Sequence, residues 1–186
     1  MRIGIVSDTH GDVVAWQDLT RGIFRGVDLI VHAGDILYHG PRNRLSGQYD
    51  PSALANLINT GPVPVLFARG NCDAEVDQLL LEYPILSPYL FLQVEGLRVL
   101  ANHGHDLDRE GLLAMARRYR VHLMVSGHTH LPRLEEEGGI VLLNPGSPAL
   151  PKGGFPSAAV LDGAVISIYD LLTNGVVTEL EVKNGR

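Results

Sequence analysis

Residue types that bind metal ions follow five short apolar segments of this chain. Each segment is a run of β-type residues that ends in a small residue or glycine, and Asp, Asn or His comes next. Near-continuous apolar runs of this length are typical of strands buried on both faces. The candidate ligands at the five predicted strand ends are Asp8, His10, Asp35, Asn71, His103, His128 and His130.

These seven side chains, if they meet, suit a pair of divalent cations. Open α/β sheets bind ligands outside the carboxyl ends of their strands, where these residues would lie. Imidazole nitrogens with carboxylate and amide oxygens favour Mn²⁺, Fe²⁺ or Zn²⁺, and seven ligands fit two ions that share a carboxylate better than one tetrahedral zinc. Asp8 and His10 are two residues apart, as are His128 and His130, so on an extended strand exit each pair would point to one side.

The charge expected at such a site indicates an anionic substrate. The whole chain has 15 basic and 21 acidic side chains and a net charge of −6, which argues against a nucleic-acid or acidic-membrane binder. Two divalent ions with two carboxylates and neutral imidazoles would instead leave a local charge of about +2. A phosphoester fits, because two ions can hold its non-bridging oxygens and activate a bridging water as nucleophile.

The elements that would position these residues alternate between strand and helix as far as residue 125, which predicts the α/β class. Beyond residue 125, short strand candidates are separated by Gly-Gly, Asp-Gly and Asn-Gly turns, which predicts an antiparallel, hairpin-rich half. Gly26 is the expected end of the first helix. The predicted helices, each preceded by an Asp that can act as N-cap, cover about residues 13–24, 51–58 and 109–118.

Length and composition predict one domain over residues 1–186, since domains of roughly 100–200 residues are usual. The single cysteine, Cys72, excludes an intramolecular disulfide and fits a reducing compartment. The first residues lack a long apolar region before Asp8, and no segment approaches the roughly 20 apolar residues that span a bilayer. We therefore expect a cytoplasmic protein without a membrane partner.

Taken in chain order, the motifs resemble those of the calcineurin-like metallophosphoesterases. The resemblance spans most of the chain and implies a four-layer α/β/β/α sandwich of two mixed sheets. Two further segments, Asn144–Ser147 and Pro151–Gly154, are similar to those of the small bacterial YfcE-like phosphodiesterases in that superfamily. The matching blocks are Asp8-Thr9-His10, Gly34-Asp35, Gly70-Asn71-Cys72-Asp73, His103-Gly104-His105 and Gly127-His128-Thr129-His130.

The resemblance also implies a division of the ligands between two ions, with Asp35 bridging. Manganese is the expected metal, with Ni²⁺, Fe²⁺ and Zn²⁺ as alternatives. Asn71 and His103 would orient the phosphoryl oxygens while a metal-bridging hydroxide attacks phosphorus in line. The first ion would be held by Asp8, His10, Asp35 and His130, and the second by Asp35, Asn71, His103 and His128.

Cys72 departs from the family pattern, in which many members have a histidine that protonates the leaving oxygen. A thiol with a reference pKa near about 8.5 is a poor general acid, so we expect Cys72 to line the substrate pocket. Catalysis should then depend on the acidity of the leaving group itself. Further candidates for substrate contacts are His105 and three residues of the loop 37–49, His39, Arg42 and Asn43, for which a structural role is the alternative.

The sequence thus predicts a divalent-metal-dependent phosphodiesterase, a phosphoric diester hydrolase that acts on a small phosphoester, and is compatible with a homo-oligomer. The alternative from another class is a non-catalytic protein-interaction scaffold of the Vps29 type. Every expected ligand position holds a competent residue, which favours the enzyme. Within the enzymes, a phosphomonoesterase and a dinucleoside polyphosphate hydrolase are alternatives, because the metal chemistry is shared and specificity lies in loops.

Overall fold

Strands account for most of the regular structure in residues 1–183, the part of the chain that the computed structural model describes. The helices are α1 (Val13–Arg21), α2 (Pro51–Thr60) and α3 (Arg109–Tyr119), and Glu75–Leu79 forms a 3₁₀ helix. The strands are β1 (Arg2–Val6), β2 (Leu29–His32), β3 (Val65–Phe67), β4 (Leu90–Val94), β5 (Leu97–Ala101), β6 (Leu123–Val125), β7 (Pro132–Glu137), β8 (Ile140–Pro145), β9 (Ser157–Asp162), β10 (Val165–Asp170) and β11 (Gly175–Glu181).

The strands form two mixed sheets. The six-stranded sheet has the order β11-β10-β9-β1-β2-β3, with β1, β2 and β3 parallel and β9 to β11 antiparallel. The five-stranded sheet has the order β4-β5-β6-β8-β7, with β5, β6 and β8 parallel. In each sheet the strands that precede candidate ligands are therefore parallel to one another, so those ligands leave from one edge of each sheet.

Three apolar clusters separate four layers, as the sequence predicts. The cluster between the sheets includes Ile5 of β1 and Val99 of β5. A second cluster packs α1 and α2 on the outer face of the six-stranded sheet, and a third packs α3 on the outer face of the five-stranded sheet. The order is α1 and α2, six-stranded sheet, five-stranded sheet, α3, which confirms the predicted α/β/β/α sandwich.

All three helices begin at the predicted N-caps. Asp12, Asp50 and Asp108 each accept a hydrogen bond from the backbone N–H three residues later. The end of α1 differs from the prediction: the helix stops at Arg21 rather than near Phe24. The N–H of Gly22 still bonds to the carbonyl of Asp18, but the residues after it form turns. The helical spacing of apolar residues therefore continues beyond the last residue of the helix.

The strands differ from the prediction in two ways. Strand β4 was not predicted: it contains the apolar run Leu90-Phe91-Leu92, but a Glu95-Gly96 turn follows it rather than a ligand-type residue. The part after residue 125 is not wholly antiparallel, because β8 pairs in parallel with β6 over Leu123–Val125. None of the helices in residues 1–183 has the length and apolar character needed to cross a membrane.

Candidate metal centre

Three buried histidines are held in one tautomer by backbone carbonyls. Their Nδ1 atoms lie 2.7–2.8 Å from carbonyl oxygens, which can only accept hydrogen bonds, so each Nδ1 carries the hydrogen. In the neutral rings, the form that binds metal, each Nε2 atom is therefore left with a lone pair. The pairs are His10 with Tyr38, His103 with Ala33 and His130 with Leu150.

These lone pairs converge on two carboxylates. The Nε2 atoms of His10 and His130 lie 3.2 Å apart. The Nε2 of His130 is 3.2 Å from Asp8 Oδ1, and the Nε2 of His103 is 3.3 Å from Asp35 Oδ2. Two acceptor nitrogens that face each other across this distance repel unless a cation lies among them.

Unsatisfied polar atoms occur at the same place. Within residues 1–183, Asp8 Oδ1 and His103 Nε2 are buried and have no hydrogen-bond partner. Leaving such atoms unpaired in the interior costs free energy, and native proteins satisfy them with protein groups, water or ions. Three of the donor sets that could hold an ion are Asp8 with His10 and His130, Asp8 with Asp35 and His103, and His10 with Asp35 and Cys72. Nitrogen and oxygen ligands of this kind fit a borderline or hard divalent ion.

The electrostatics of the cluster favour positive charge. Burial lowers the pKa of His103, but its contact with Asp35 and the charges of Asp8 and Asp35 outweigh burial and raise that pKa to about 9. Burial alone would raise the pKa of Asp8, yet His10 and His130 hold it well below its usual value. The carboxylates thus stay ionised and attract positive charge. Without a metal, a second proton on His103 supplies that charge at neutral pH, and a metal ion bound at Nε2 must displace this proton.

Asp35 lies between the two groups of histidines. Its Oδ1 accepts a hydrogen bond of 2.8 Å from the Cys72 N–H, while its Oδ2 is 3.3 Å from His103 Nε2 and 3.8 Å from His10 Nε2. One carboxylate oxygen is thus fixed by the backbone, and the other faces both imidazoles. This placement suits a ligand shared between two ions.

Asp73 fixes the backbone at Asp35, Ile36 and Gly70, a role that was not predicted from the sequence. Its buried carboxylate accepts hydrogen bonds from the N–H groups of Asp35, Ile36 and Gly70, at 2.7–2.9 Å. Burial raises the pKa of Asp73, against the effect of these three donors. The available signal was its place in the Gly70–Asp73 block, directly after Cys72.

The sequence predicted an extended exit from the strands at Asp8 and His10 and at His128 and His130, and this prediction is wrong. Asp8, His10, Asp35, His128 and His130 all have positive φ, between 44° and 66°. This left-handed conformation is uncommon outside glycine, and it turns the chain sharply after each strand. Hydrogen bonds between neighbouring loops hold it, including Asp8 N–H to the Gly34 carbonyl at 3.0 Å and His10 N–H to the Asp35 carbonyl at 3.1 Å.

The loops of the two sheets approach closely at Gly127. A Cβ atom at this position would overlap Ser7 Oγ and would lie 2.7 Å from Asp8 Oδ2. The adjacent His128 N–H donates to that same Asp8 oxygen at 3.0 Å. Glycine is therefore required by the contact between loops rather than by its own φ.

Asn144 and Ser147 connect these loops. Asn144 Nδ2 donates to the Gly127 carbonyl at 2.7 Å. Ser147 Oγ donates to the Asp8 carbonyl at 2.7 Å and is itself fully buried. The segment after β8 thereby fixes the backbone on both sides of the candidate metal centre.

A cavity of about 440 Å³ opens above the buried cluster and contains most of the other predicted site residues. Asn71 and His128 lie in it, and both are exposed; Asn71 Nδ2 donates to Cys72 Sγ at 3.4 Å. The imidazole of His39 is instead packed against the rings of Tyr38 and Tyr49, outside the cavity wall. The wall is formed by Asp35, Gly40, Pro41, Arg42, Asn43, Asn71, Cys72, His105, His128, His130 and Lys152. Lys152 was not predicted as a site residue.

Cys72 is half-buried in this wall. Burial raises the pKa of its thiol well above the usual range, and the nearby Asp35 charge adds to the effect. The thiol is therefore neutral and holds its proton tightly, which makes it a poor proton donor to a leaving group.

Comparison with known proteins identifies the family. The sequence profile of the calcineurin-like phosphoesterase superfamily domain matches residues 1–164. The chain belongs to this superfamily. It is 37% identical over 184 residues to the phosphodiesterase YfcE of Escherichia coli strain K12, with 98% of each chain covered. A probable metallophosphoesterase of Methanothermobacter thermautotrophicus is 34% identical, over 87% of this chain and 85% of the relative.

Solved structures agree with this family. The structure of the phosphoesterase Yfce from E. coli superposes with a TM-score of 0.89 at 36% identity, and covers 98% of this chain and 100% of that one. Vacuolar protein sorting 29 of Cryptosporidium parvum has a TM-score of 0.67 at 19% identity over 97% of each chain, which shows a shared fold alone. The predicted family, fold and enzyme class, a phosphoester hydrolase, are confirmed.

Proposed function

We propose that this calcineurin-like phosphoesterase is a phosphodiesterase that binds two divalent metal ions and cleaves small phosphoesters. One observation carries the proposal: His10, His103 and His130 direct Nε2 lone pairs at each other and at Asp8 and Asp35. Within the described part of the chain, Asp8 Oδ1 and His103 Nε2 are buried and have no hydrogen-bond partner. A bound divalent cation would satisfy these electron-pair donors together.

In this proposal the seven ligands are divided between two metal ions in the way that the family resemblance implies. Mn²⁺ is the proposed metal, since every ligand is a nitrogen or an oxygen atom. Bound here, two such ions would supply a hydroxide nucleophile at neutral pH and withdraw charge from the phosphoryl oxygens. The first set is Asp8, His10, Asp35 and His130, and the second is Asp35, Asn71, His103 and His128.

The remaining residues position the substrate. The Asn71 amide lies in the cavity wall and can donate to a phosphoryl oxygen, with His103 fixed beneath it by its bond to the Ala33 carbonyl. Arg42, Asn43 and His105 surround the opening, where a guanidinium or amide can bind phosphate oxygens. A diester held between these groups has its phosphorus above the buried carboxylates, which is the orientation that in-line attack needs.

The neutral thiol of Cys72 limits which substrates react well. Since it holds its proton tightly, the leaving oxygen departs with little protonation by this residue. Esters of acidic alcohols, such as aryl phosphodiesters, are therefore the preferred substrates. A steep dependence of kcat on leaving-group pKa is expected, and a flat one would contradict this role of Cys72.

A substrate and metal screen tests the proposed function. Bis-p-nitrophenyl phosphate and p-nitrophenyl phosphate are assayed with Mn²⁺, Ni²⁺, Mg²⁺ and Zn²⁺ on protein first stripped by chelator. Diester cleavage that requires a divalent ion and disappears with chelator supports the proposal. Cleavage of the monoester alone would point to a phosphomonoesterase, and no metal binding at all would favour a scaffold.

A further inference from the structure

The cavity wall contains two cationic side chains that the proposed metal chemistry does not need. These are Arg42, in the loop after β2, and Lys152, after β8. We propose that they bind a second phosphate group of the substrate, beside the phosphodiester that is cleaved. This inference rests on the proposed phosphodiesterase function and specifies its substrate class: a phosphodiester that bears a further phosphate.

The position of Lys152 is fixed by a candidate metal ligand. The carbonyl of Leu150 accepts a hydrogen bond of 2.7 Å from Nδ1 of His130, and the N–H of Lys152 donates to the carbonyl of His130 at 3.1 Å. The segment 150–152 thus contacts both the side chain and the backbone of His130. Lys152 is held beside this ligand rather than on an independent loop.

Arg42 has an equivalent relationship to His10. The carbonyl of Tyr38 accepts from Nδ1 of His10 at 2.8 Å, and four residues later Arg42 lies in the cavity wall. The intervening turn is closed by Asn43 Nδ2, which donates to the His39 carbonyl at 2.8 Å. Both cations thus lie in the wall of the same cavity, each in a segment that contacts one of the adjacent ligands His10 and His130.

The other polar side chains of the wall differ in chemistry. They include Asn71, His105 and His128, an amide and two imidazoles. Arg42 and Lys152 are the Arg and Lys side chains of this wall, so they would attract a second anionic group of the substrate.

Neither cation is neutralised by the protein. Among residues 1–183, the side chains of Arg42 and Lys152 take part in no ion pair, whereas Arg109 and Arg133 both contact Glu135. A simple phosphodiester has one negative charge, which the metal-loaded cluster, with a charge of about +2, already exceeds. A second phosphate would use the guanidinium fork and the ammonium together.

A pair of matched substrates tests the inference. Thymidine 5′-(p-nitrophenyl phosphate) and its 3′-phosphorylated form release the same leaving group and differ only in the second phosphate. We expect kcat/KM of the Mn²⁺-loaded protein to be about tenfold higher for the 3′-phosphorylated ester. Binding of thymidine 3′,5′-bisphosphate and thymidine 5′-monophosphate, measured by isothermal titration, gives a second comparison that needs no turnover.

Charge-removing variants assign the effect to the two residues. Arg42→Gln and Lys152→Gln should each reduce the preference for the second phosphate severalfold, and the double variant should abolish it. Activity of the Lys152→Gln protein on the simple diester should change far less, because the proposed function gives Lys152 no contact with that diester. Arg44→Gln is the matched control, because Arg44 is exposed on the same loop but lies outside the cavity wall.

The outcomes separate this inference from the proposed function. Equal kcat/KM for the two esters with equal binding of the two nucleotides, or a preference that survives in the double variant, overturns the inference and leaves the phosphodiesterase intact. Failure to cleave either ester, with tighter binding of the bisphosphate that the double variant loses, overturns the proposed function and supports the phosphate site. Failure in both measurements overturns both.

Discussion

The Nε2 atoms of His10 and His130 lie 3.2 Å apart although 120 residues separate them in the chain. Each ring is oriented by a backbone carbonyl, so in the neutral rings neither Nε2 has a hydrogen to share with the other. Asp8 Oδ1, 3.2 Å from His130 Nε2 and 3.6 Å from His10 Nε2, completes a group of three electron-pair donors. Such a group is stable with a cation bound and strained without one, so metal removal should lower the melting temperature.

Asp35→Asn should abolish activity and remove both metals together. The substitution keeps the shape of the side chain but removes the charge that faces both His10 and His103. Metal content measured by elemental analysis should fall from two ions per chain towards zero. Asp18→Asn, on the exposed face of α1, is the control and should retain both. Loss of only one ion from the Asp35 variant would show that this carboxylate does not bridge.

Gly127→Ala should destabilise the protein by more than about 2 kcal/mol, because the added Cβ would overlap Ser7 Oγ and force the two sheets' loops apart. Gly47→Ala is a matched control: its φ is likewise not positive, and a Cβ there would meet no atom within 4 Å. Urea unfolding monitored by circular dichroism measures both. Similar stability losses in the two variants would contradict the close contact at Gly127.

His32 should make the metal-free protein less stable as the pH falls. Burial lowers the pKa of this histidine to about 3. Its Nδ1 accepts from the Gly34 N–H at 3.1 Å, so Nε2 carries the hydrogen and donates to Thr9 Oγ1 at 2.9 Å. Below pH about 6.5, His32 binds a proton in the unfolded chain but not in the folded chain. The free energy of unfolding therefore falls by about 1.4 kcal/mol per pH unit until the pH reaches the pKa of the folded state.

The measurement for His32 is the free energy of unfolding from pH 7 to pH 4.5, compared with His32→Gln. The variant is expected to be less stable at pH 7, since it loses the two hydrogen bonds, but the gap should close as the pH falls. Taking the difference between the proteins cancels the other titrating groups. A gap that stays constant over this range would mean that His32 is protonated in the folded state.

Cys72→Ser should leave turnover of bis-p-nitrophenyl phosphate within about threefold of the native value. The thiol is neutral and makes only a weak contact with Asn71 Nδ2, at 3.4 Å. The backbone N–H of residue 72, which bonds to Asp35, is unaffected by the change. Steady-state kinetics with saturating Mn²⁺ measures the effect, and a loss of more than about a hundredfold would give the thiol a chemical role.

The sequence predicted the strands that precede the candidate ligands because their apolar runs are continuous and strongly marked. It also predicted the N-caps at Asp12, Asp50 and Asp108, because an Asp before a helical pattern caps the helix by bonding to a backbone N–H only three residues later. Strand β4 was missed because its apolar run is followed by a Glu95-Gly96 turn and not by a ligand-type residue. The roles of Asp73 and Ser147 were missed for a different reason: each bonds to the backbone of a segment distant in sequence, and no local pattern encodes that.

The sequence by itself determined the ligand types, their order along the chain and the strands that precede them. Those features follow from local composition and periodicity, whereas the family and the four-layer arrangement were implied by the resemblance of the motifs to the calcineurin-like metallophosphoesterases. Only the tertiary structure decided how the ligands face one another, including the positive φ of Asp8 and His10 and the location of Arg42 and Lys152 in the wall of one cavity. These depend on contacts between loops of two different sheets, and such contacts exist only once both sheets have packed.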